Sequence, residues 1–365
     1  MESERLRRAH PYHMYEAIRQ QPERIARLLA SQRENIVHTA AAIARHERIL
    51  SVGTGTSLHA ALAGERFLRH WSGGRAWVRV EESFELVHAP LALGSADAVL
   101  LTSHRGGPGY SVEALERAKA SGAFTVAITG AGGGNGLRGA DAVITTCEQE
   151  ISMAHTKSYT TALAAHALLA AEVARHRGWS PGSAAERDVE QLPELVEGSL
   201  ATEADARAVA GWLGQLDRLF FLGAGLQSIT AREAALKVKE TSYIHAEGFS
   251  SEEFLHGPLA ACDERAAVVA FLDAASAARR TVQALRAARE TGARGLAVVS
   301  SGVSVDARTA PVLVVPAAPD WLALFPHTVA AQWLAYFLAL ERGTNPDTGR
   351  EEQPAHARAR QQAQP

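Results

Sequence analysis

The 365-residue chain carries 37 Lys and Arg against 40 Asp and Glu, a formal net charge of −3, with 47% hydrophobic and 21% charged residues. That balance describes a globular chain long enough for two domains, and it excludes a basic nucleic-acid-binding stripe. No run reaches the ~20 apolar residues of a membrane helix, and the polar start MESERLRRAH does not read as a secretion signal, so the expected location is the cytoplasm.

In chain order, residues 1–34 are expected to form a helical arm. The next stretch, RILSVGTGTSLHAAL (48–62), reads as strand, G-x-G turn and helix. ADAVLLTS (96–103) is a buried strand running into the loop SHRGGPGYS and the helix SVEALERAKASG, which stops at a glycine. AFTVAITG (123–130) and ADAVITTC (140–147) are further apolar strands. The segment 179–203, entered through the Gly-, Pro- and Ser-bearing RHRGWSPGSAAERDVE, is expected as a linker. The pattern then repeats at an offset of 170 residues: RLFFLGAGLQSITAR follows Arg48 at Arg218, AAVVAFLD at Ala266 and ARGLAVVS at Ala293, and TAPVLVVP comes at nearly the same offset. Four matches in order predict a duplicated domain. Apolar strands without alternation are covered on both faces, which implies parallel sheets between helices. The expected architecture is two tandem doubly wound α/β/α domains, 35–178 and 204–343, followed by a polar tail, 344–365.

Three segments carry candidate chemistry. SVGTGTS joins a strand to a helix, where Gly55 permits close approach and Thr56 and Ser57 add hydroxyls to exposed helix N–H groups, a site for an anion or a sugar, or simply a tight turn. It is not the G-x-G-x-x-G dinucleotide fingerprint, because Leu58 occupies the third glycine position. EISMAHTKSYTT follows a strand and places His155 and Lys157 at its carboxyl end, the usual ligand side. EAALKVKETSYIHAEGFSSEEFLHGPLA (233–260) gathers Lys237, Glu240 and His256; Lys237 and Glu240 share a helix face, and a carboxylate with a histidine can move protons between adjacent carbons. The alternative is a solvated charged helix. Only four lysines exist, Lys119, Lys157, Lys237 and Lys239, so those in HTKSYTT and ALKVKE stand out, whether needed there or merely on the surface. Two cysteines, Cys147 and Cys262, without metal-ligand spacing, point to a reducing compartment.

From MYEAIRQQPE (14–23) to about Glu341 the chain resembles the double SIS (sugar isomerase) family, close to the isomerase half of glucosamine-6-phosphate synthase and to sugar-phosphate isomerases, aminosugar-phosphate deaminases and deglycases. The arm resembles that family's M-x-x-E-I-x-x-Q-P, and 233–258 its E-G-A-L-K-L-K-E-x-S-Y-I-H-A-E…E-x-x-H-G-P. The resemblance implies that Glu240 shuttles a proton between C1 and C2, and that His256 opens the sugar ring from a neighbouring subunit of a homodimer. It implies no cofactor or metal, no nucleic acid or membrane partner, and a sugar or sugar phosphate held by Gly55, Thr56 and Ser57. The family's phosphate loop, S-x-S-G-E-T, becomes Ser103, His104, Arg105, Gly106, Gly107 and Pro108, so two hydroxyls are gone. Arg105 offers a fork for two oxygens instead, with Ser111 as a replacement hydroxyl. The family's A-S-T-K puts His155 on a serine. The lysine of the family's C-terminal P-R-N-L-A-K falls on Ala359, which leaves Lys237 as the fallback for any Schiff base. The expected function is an isomerase, deaminase or deglycase without glutaminase activity; the alternative is a non-catalytic sugar-phosphate-binding regulator.

Overall fold

The computed structural model describes residues 6–89, 91–107, 109–179, 183–306 and 308–363, so Pro108 lies outside the described residues. Two compact units are present: one comprises Gln21–Glu150 and Lys157–Pro193, the other the residues up to Gln20, Ile151–Thr156 and those from Glu194 onward.

The elements of the first unit are α1 (His13–Ile43, shared with the other unit), β1 (Arg48–Gly53), α2 (Thr56–Ser72), β2 (Trp77–Glu82), α3 (Ser83–His88), β3 (Asp97–Ser103), α4 (Tyr110–Ala120), β4 (Phe124–Ala131), β5 (Ala142–Glu148), α5 (Lys157–His176) and α6 (Ser183–Glu190). Its parallel sheet runs β2-β1-β3-β4-β5. Leu50, Val52, Val99, Leu101 and Ala127 on the strands meet Leu115 of α4 in one buried cluster. Each such fully buried leucine or valine contributes roughly 1.5–3 kcal/mol. Helix α5 is buried from Lys157 to Ala174, which explains why it reads apolar all round.

The second unit continues with α7 (Leu192–Leu200), α8 (Glu203–Leu213), β6 (Arg218–Gly223), α9 (Gln227–Ser242), β7 (His245–Ser250), α10 (Ser251–Leu255), β8 (Ala266–Leu272), α11 (Ala278–Glu290), β9 (Arg294–Ser300), β10 (Val312–Val315), α12 (Leu324–Glu341) and α13 (Pro354–Gln362). Read from β7, its sheet runs β7-β6-β8-β9-β10, the same order as the first. Strand β8, AAVVAFL, is buried along its whole length. The duplicated three-layer α/β/α architecture expected from the repeat is therefore present.

Both sheets gain a strand that the repeat pattern does not show. WVRVEE and HAEGFS, too polar to read as core strands, pair in parallel register with β1 and β6 as edge strands β2 and β7. The segment 179–203, expected as a linker, contains α6 and α7, with Ala185, Val189, Leu192 and Val196 fully buried. Cys147 and Cys262 are free and buried. Among the described residues no helix is long and apolar enough to cross a membrane.

Candidate active site

A 2-1-3-4-5 sheet reverses its winding between β1 and β3, and the loops leaving those two strands flank the crevice where such folds hold ligands. After β1, a Cβ on Gly53 would lie 2.5 Å from the backbone of Ser57, so glycine is what lets α2 start this close to the strand end. Gly55 turns through φ +58 with open space beside it. Thr56 and Ser57 are half-buried in the first turn of α2. Thr54 donates its hydroxyl to Glu82, whose other carboxylate oxygen accepts the Phe84 N–H at 2.7 Å and caps α3.

The loop after β3 is held by its carbonyls. His104 is 8% exposed; its carbonyl accepts from Gly130 N at 3.0 Å and from Gln149 Nε2 at 2.9 Å. The Arg105 carbonyl accepts from Gly134 N at 2.8 Å, and the Gly106 carbonyl from Gly136 N at 3.0 Å. The Arg105 side chain is exposed and Ser103 is half-buried. Gly106 turns at φ +56, and a Cβ there would sit 2.7 Å from Thr129 Oγ1. Ser111, in the first turn of α4, faces Ser83 Oγ at 3.4 Å. The run GGGNG (132–136), which carried no signal as sequence, is thus the bed on which this loop lies.

In the same unit Lys157 is 6% exposed, with Nζ 2.5 Å from Glu148 Oε1, which also accepts from Arg24 Nε at 2.8 Å. Burial works against ionisation of Glu148, but the hydrogen bonds from Lys157 and Arg24 outweigh it and bring its carboxyl to about 2. Lys157 is therefore committed to an ion pair.

In the second unit Lys237 is 1% exposed and lies between two carboxylates of its own helix, Glu233 at 3.4 Å and Glu240 at 2.5 Å. Glu240 is partly open and lines a cavity of about 460 Å3. The signature does not stay helical: α9 ends where Tyr243 takes φ 59, and the chain turns into β7 and then α10. His256 follows α10 and is strongly exposed; its Nε2 is 2.9 Å from Glu252 Oε1, itself gripped by Arg280 at 2.6 and 3.0 Å. Arg280 first, and His256 second, hold the Glu252 carboxyl at about 2. His256 is not among the residues lining the Glu240 cavity. His155 is half-buried in the segment 151–156, which belongs to this second unit.

A family model for the SIS domain matches residues 42–172 and again 213–342. The chain belongs to the SIS domain family. The two matches fall on the two sheets, one SIS copy each. Among relatives, glutamine–fructose-6-phosphate aminotransferase [isomerizing] of Pyrococcus horikoshii is 33% identical over 341 residues, 92% of this SIS chain and 56% of that protein. The Thermococcus kodakarensis protein of the same name is 33% identical over 347 residues, covering 93% and 57%. The chain thus spans little more than half the length of the curated relatives it matches. The solved C-terminal domain of glucosamine-fructose-6-phosphate aminotransferase from Francisella tularensis superposes with a TM-score of 0.83 at 24% identity, over 93% of this chain and 99% of that one, and so shows a shared fold.

Proposed function

We propose that this SIS chain is an enzyme that opens a sugar or aminosugar phosphate and moves a proton between C1 and C2, as an isomerase, deaminase or deglycase, with Glu240 as the proton carrier. The observation that carries this reading is the Lys237–Glu240 pair: a lysine 1% exposed, 2.5 Å from a partly open carboxylate, within the long signature the family shares. Two carboxylates engage Lys237, so its part is to position Glu240; forming a Schiff base would break both pairs. In the open-chain substrate, Glu240 removes the proton from the carbon next to the carbonyl and returns it to the other carbon, through an enediol or its nitrogen analogue.

Ring opening is assigned to His256, protonating the ring oxygen while the anomeric hydroxyl gives up its proton. Its strong exposure on its own protomer supports donation to a neighbouring subunit's site in a homodimer. Binding is assigned to Gly55, Thr56 and Ser57 for the sugar, and to Ser103, Arg105, Gly106 and Ser111 for the anion, with His104 shaping the loop from below. The relatives named for fructose-6-phosphate chemistry, and a glucosamine-6-phosphate deaminase from Thermotoga maritima with the same fold (TM-score 0.73, 22% identity, covering 92% of this chain and 97% of that one), support the substrate class. Glutaminase activity is no part of the proposal.

A screen of hexose, aminosugar and fructosamine 6-phosphates, read by ammonia release and by exchange of the C2 proton with heavy water, tests it. Glu240→Gln is expected to lower kcat by roughly 10²–10⁴ while leaving the dissociation constant within a few-fold. Full turnover in that variant, or binding of sugar phosphates with no turnover by the unaltered chain, defeats the catalytic reading; the second outcome marks a sensor.

A further inference from the structure

The cavity beside Glu240 is lined by more cation than the proton transfer uses. Its walls include Lys239 and Glu240 of α9, His245 of β7, Arg350 from the turn before α13, and His356 and Arg360 of α13. The one carboxylate among these six, Glu240, is already met from behind by Lys237 at 2.5 Å. Arg360 gives Nη1 to Glu351 at 2.7 Å, and Arg350 lies over the Tyr243 ring at 4.8 Å, so both guanidiniums are steered by neighbours. Lys239 is exposed. Three permanent cations and two imidazoles thus converge on a space of about 460 Å3, within the size range of small-ligand pockets. Three permanent cations against the single Glu240 carboxylate leave this lining net positive, which favours an anion, and a guanidinium pairs with two oxygens at once.

We propose that this cavity is a second anion site, taking a carboxylate or phosphate carried by the part of the substrate beyond the reacting carbons. The site itself stands on the cavity and its charges; assigning the anion to the substrate rests on the function proposed above. The substrate class it defines is a sugar phosphate with a second negative group, such as a carboxylate on a nitrogen-linked substituent. The C-terminal helix then acts through His356 and Arg360 as a specificity element.

Calorimetric titration of the full chain with inorganic phosphate tests the site without turnover. The Lys239→Ala/Arg360→Ala variant changes exposed side chains, and an unchanged melting temperature certifies its fold. It is expected to lose one class of phosphate site, at least tenfold in affinity, whereas Arg105→Ala keeps that class. A wild-type isotherm in the double variant overturns the proposal. A second arm compares KM for fructosamine 6-phosphates with and without an α-carboxylate on the amine substituent. The unaltered chain is expected to favour the carboxylate at least tenfold and the double variant to lose that preference. Phosphate bound at this site with no carboxylate preference overturns the substrate assignment and identifies a free-anion effector. Absence of turnover on every sugar phosphate defeats the proposed function, while the phosphate titration still decides the site.

Discussion

At the end of β1, Gly53 leaves no room for a Cβ against Ser57; at the end of β6, Gly223 leaves none against Gln227, where a Cβ would lie 2.2 Å from backbone. Gly55 and Gly225 turn alike, at φ +58 and +57. The two backbones are the same, and the side chains are not. Ser57, Ser103 and Lys157 of the first copy become, 170 residues on, Gln227, Asp273 and His327. Gln227 Nε2 reaches Asp273 Oδ2 at 3.2 Å and His327 Nδ1 at 3.3 Å, with all three buried. The second crevice is occupied by its own polar groups, which hydrogen-bond one another; the first keeps half-buried hydroxyls at its rim. Polar groups that bind each other are spent for a ligand. The neighbouring helices diverge in the same sense. Ser83–Ser111 at 3.4 Å matches Ser251–Thr281 at 2.7 Å, but the rings of Phe84, His88 and Tyr110 stand where Glu252, His256 and Arg280 form a hydrogen-bonded trio.

The comparison can be broken first at its shared backbone. Gly223→Ala forces a Cβ into α9 and is expected to cost about 3 kcal/mol in a denaturant titration. An unchanged midpoint would show that the close approach is dispensable in the second copy. Acid separates the copies next. His166, fully buried on Thr102 at 2.9 Å, is pushed by burial to about 4, and the second copy has Tyr336 at that place. An unfolded imidazole titrates near 6.5, so between about pH 6.5 and 4 the unfolded chain takes up a proton that the folded chain refuses. Stability should fall by about 2–3 kcal/mol across that window. A calorimetric pH series checks this, and His166→Phe should remove this share of the fall while leaving the share of His327, whose imidazole is also pushed down by burial. The smallest effect sharpens the contrast in ligand use. Asp273→Ala, leaving Gln227 short of an acceptor, is expected to cost about 2 kcal/mol in stability with sugar-phosphate affinity untouched, whereas Ser103→Ala does the reverse. Equal effects of the two on affinity would erase the distinction.

Much of this was legible before the fold was known, for physical reasons. Strands β1, β3 and β4 and their repeats β6, β8 and β9 are buried on both faces and therefore continuously apolar; β5 and β10 end their sheets and were legible through their β-branched residues. The edge strands β2 and β7 face solvent, and their charged residues hide them. The Lys237–Glu240 pair follows from helical spacing, and two of the four lysines, Lys157 and Lys237, are indeed buried in ion pairs, at 6% and 1% exposure. The bend of the signature at Tyr243 was not legible, because an aromatic residue carries no sign of a left-handed turn. Nor was the hydrogen bonding within the second crevice, which joins residues 100 positions apart in the chain, Gln227 and His327.

The bed of glycines under the β3 loop has a consequence for how such a protein can drift over time. A Cβ on Gly133 would strike the Arg105 carbonyl at 2.5 Å, and one on Gly134 would strike Gly107 Cα at 2.5 Å, so two stretches of main chain are in direct contact. A side chain at Gly133 or Gly134 displaces the loop. A lineage bearing this loop has few routes to a new ligand through its main-chain path. It can exchange what projects from the path, at Arg105 and Ser111, on a frame that stays fixed.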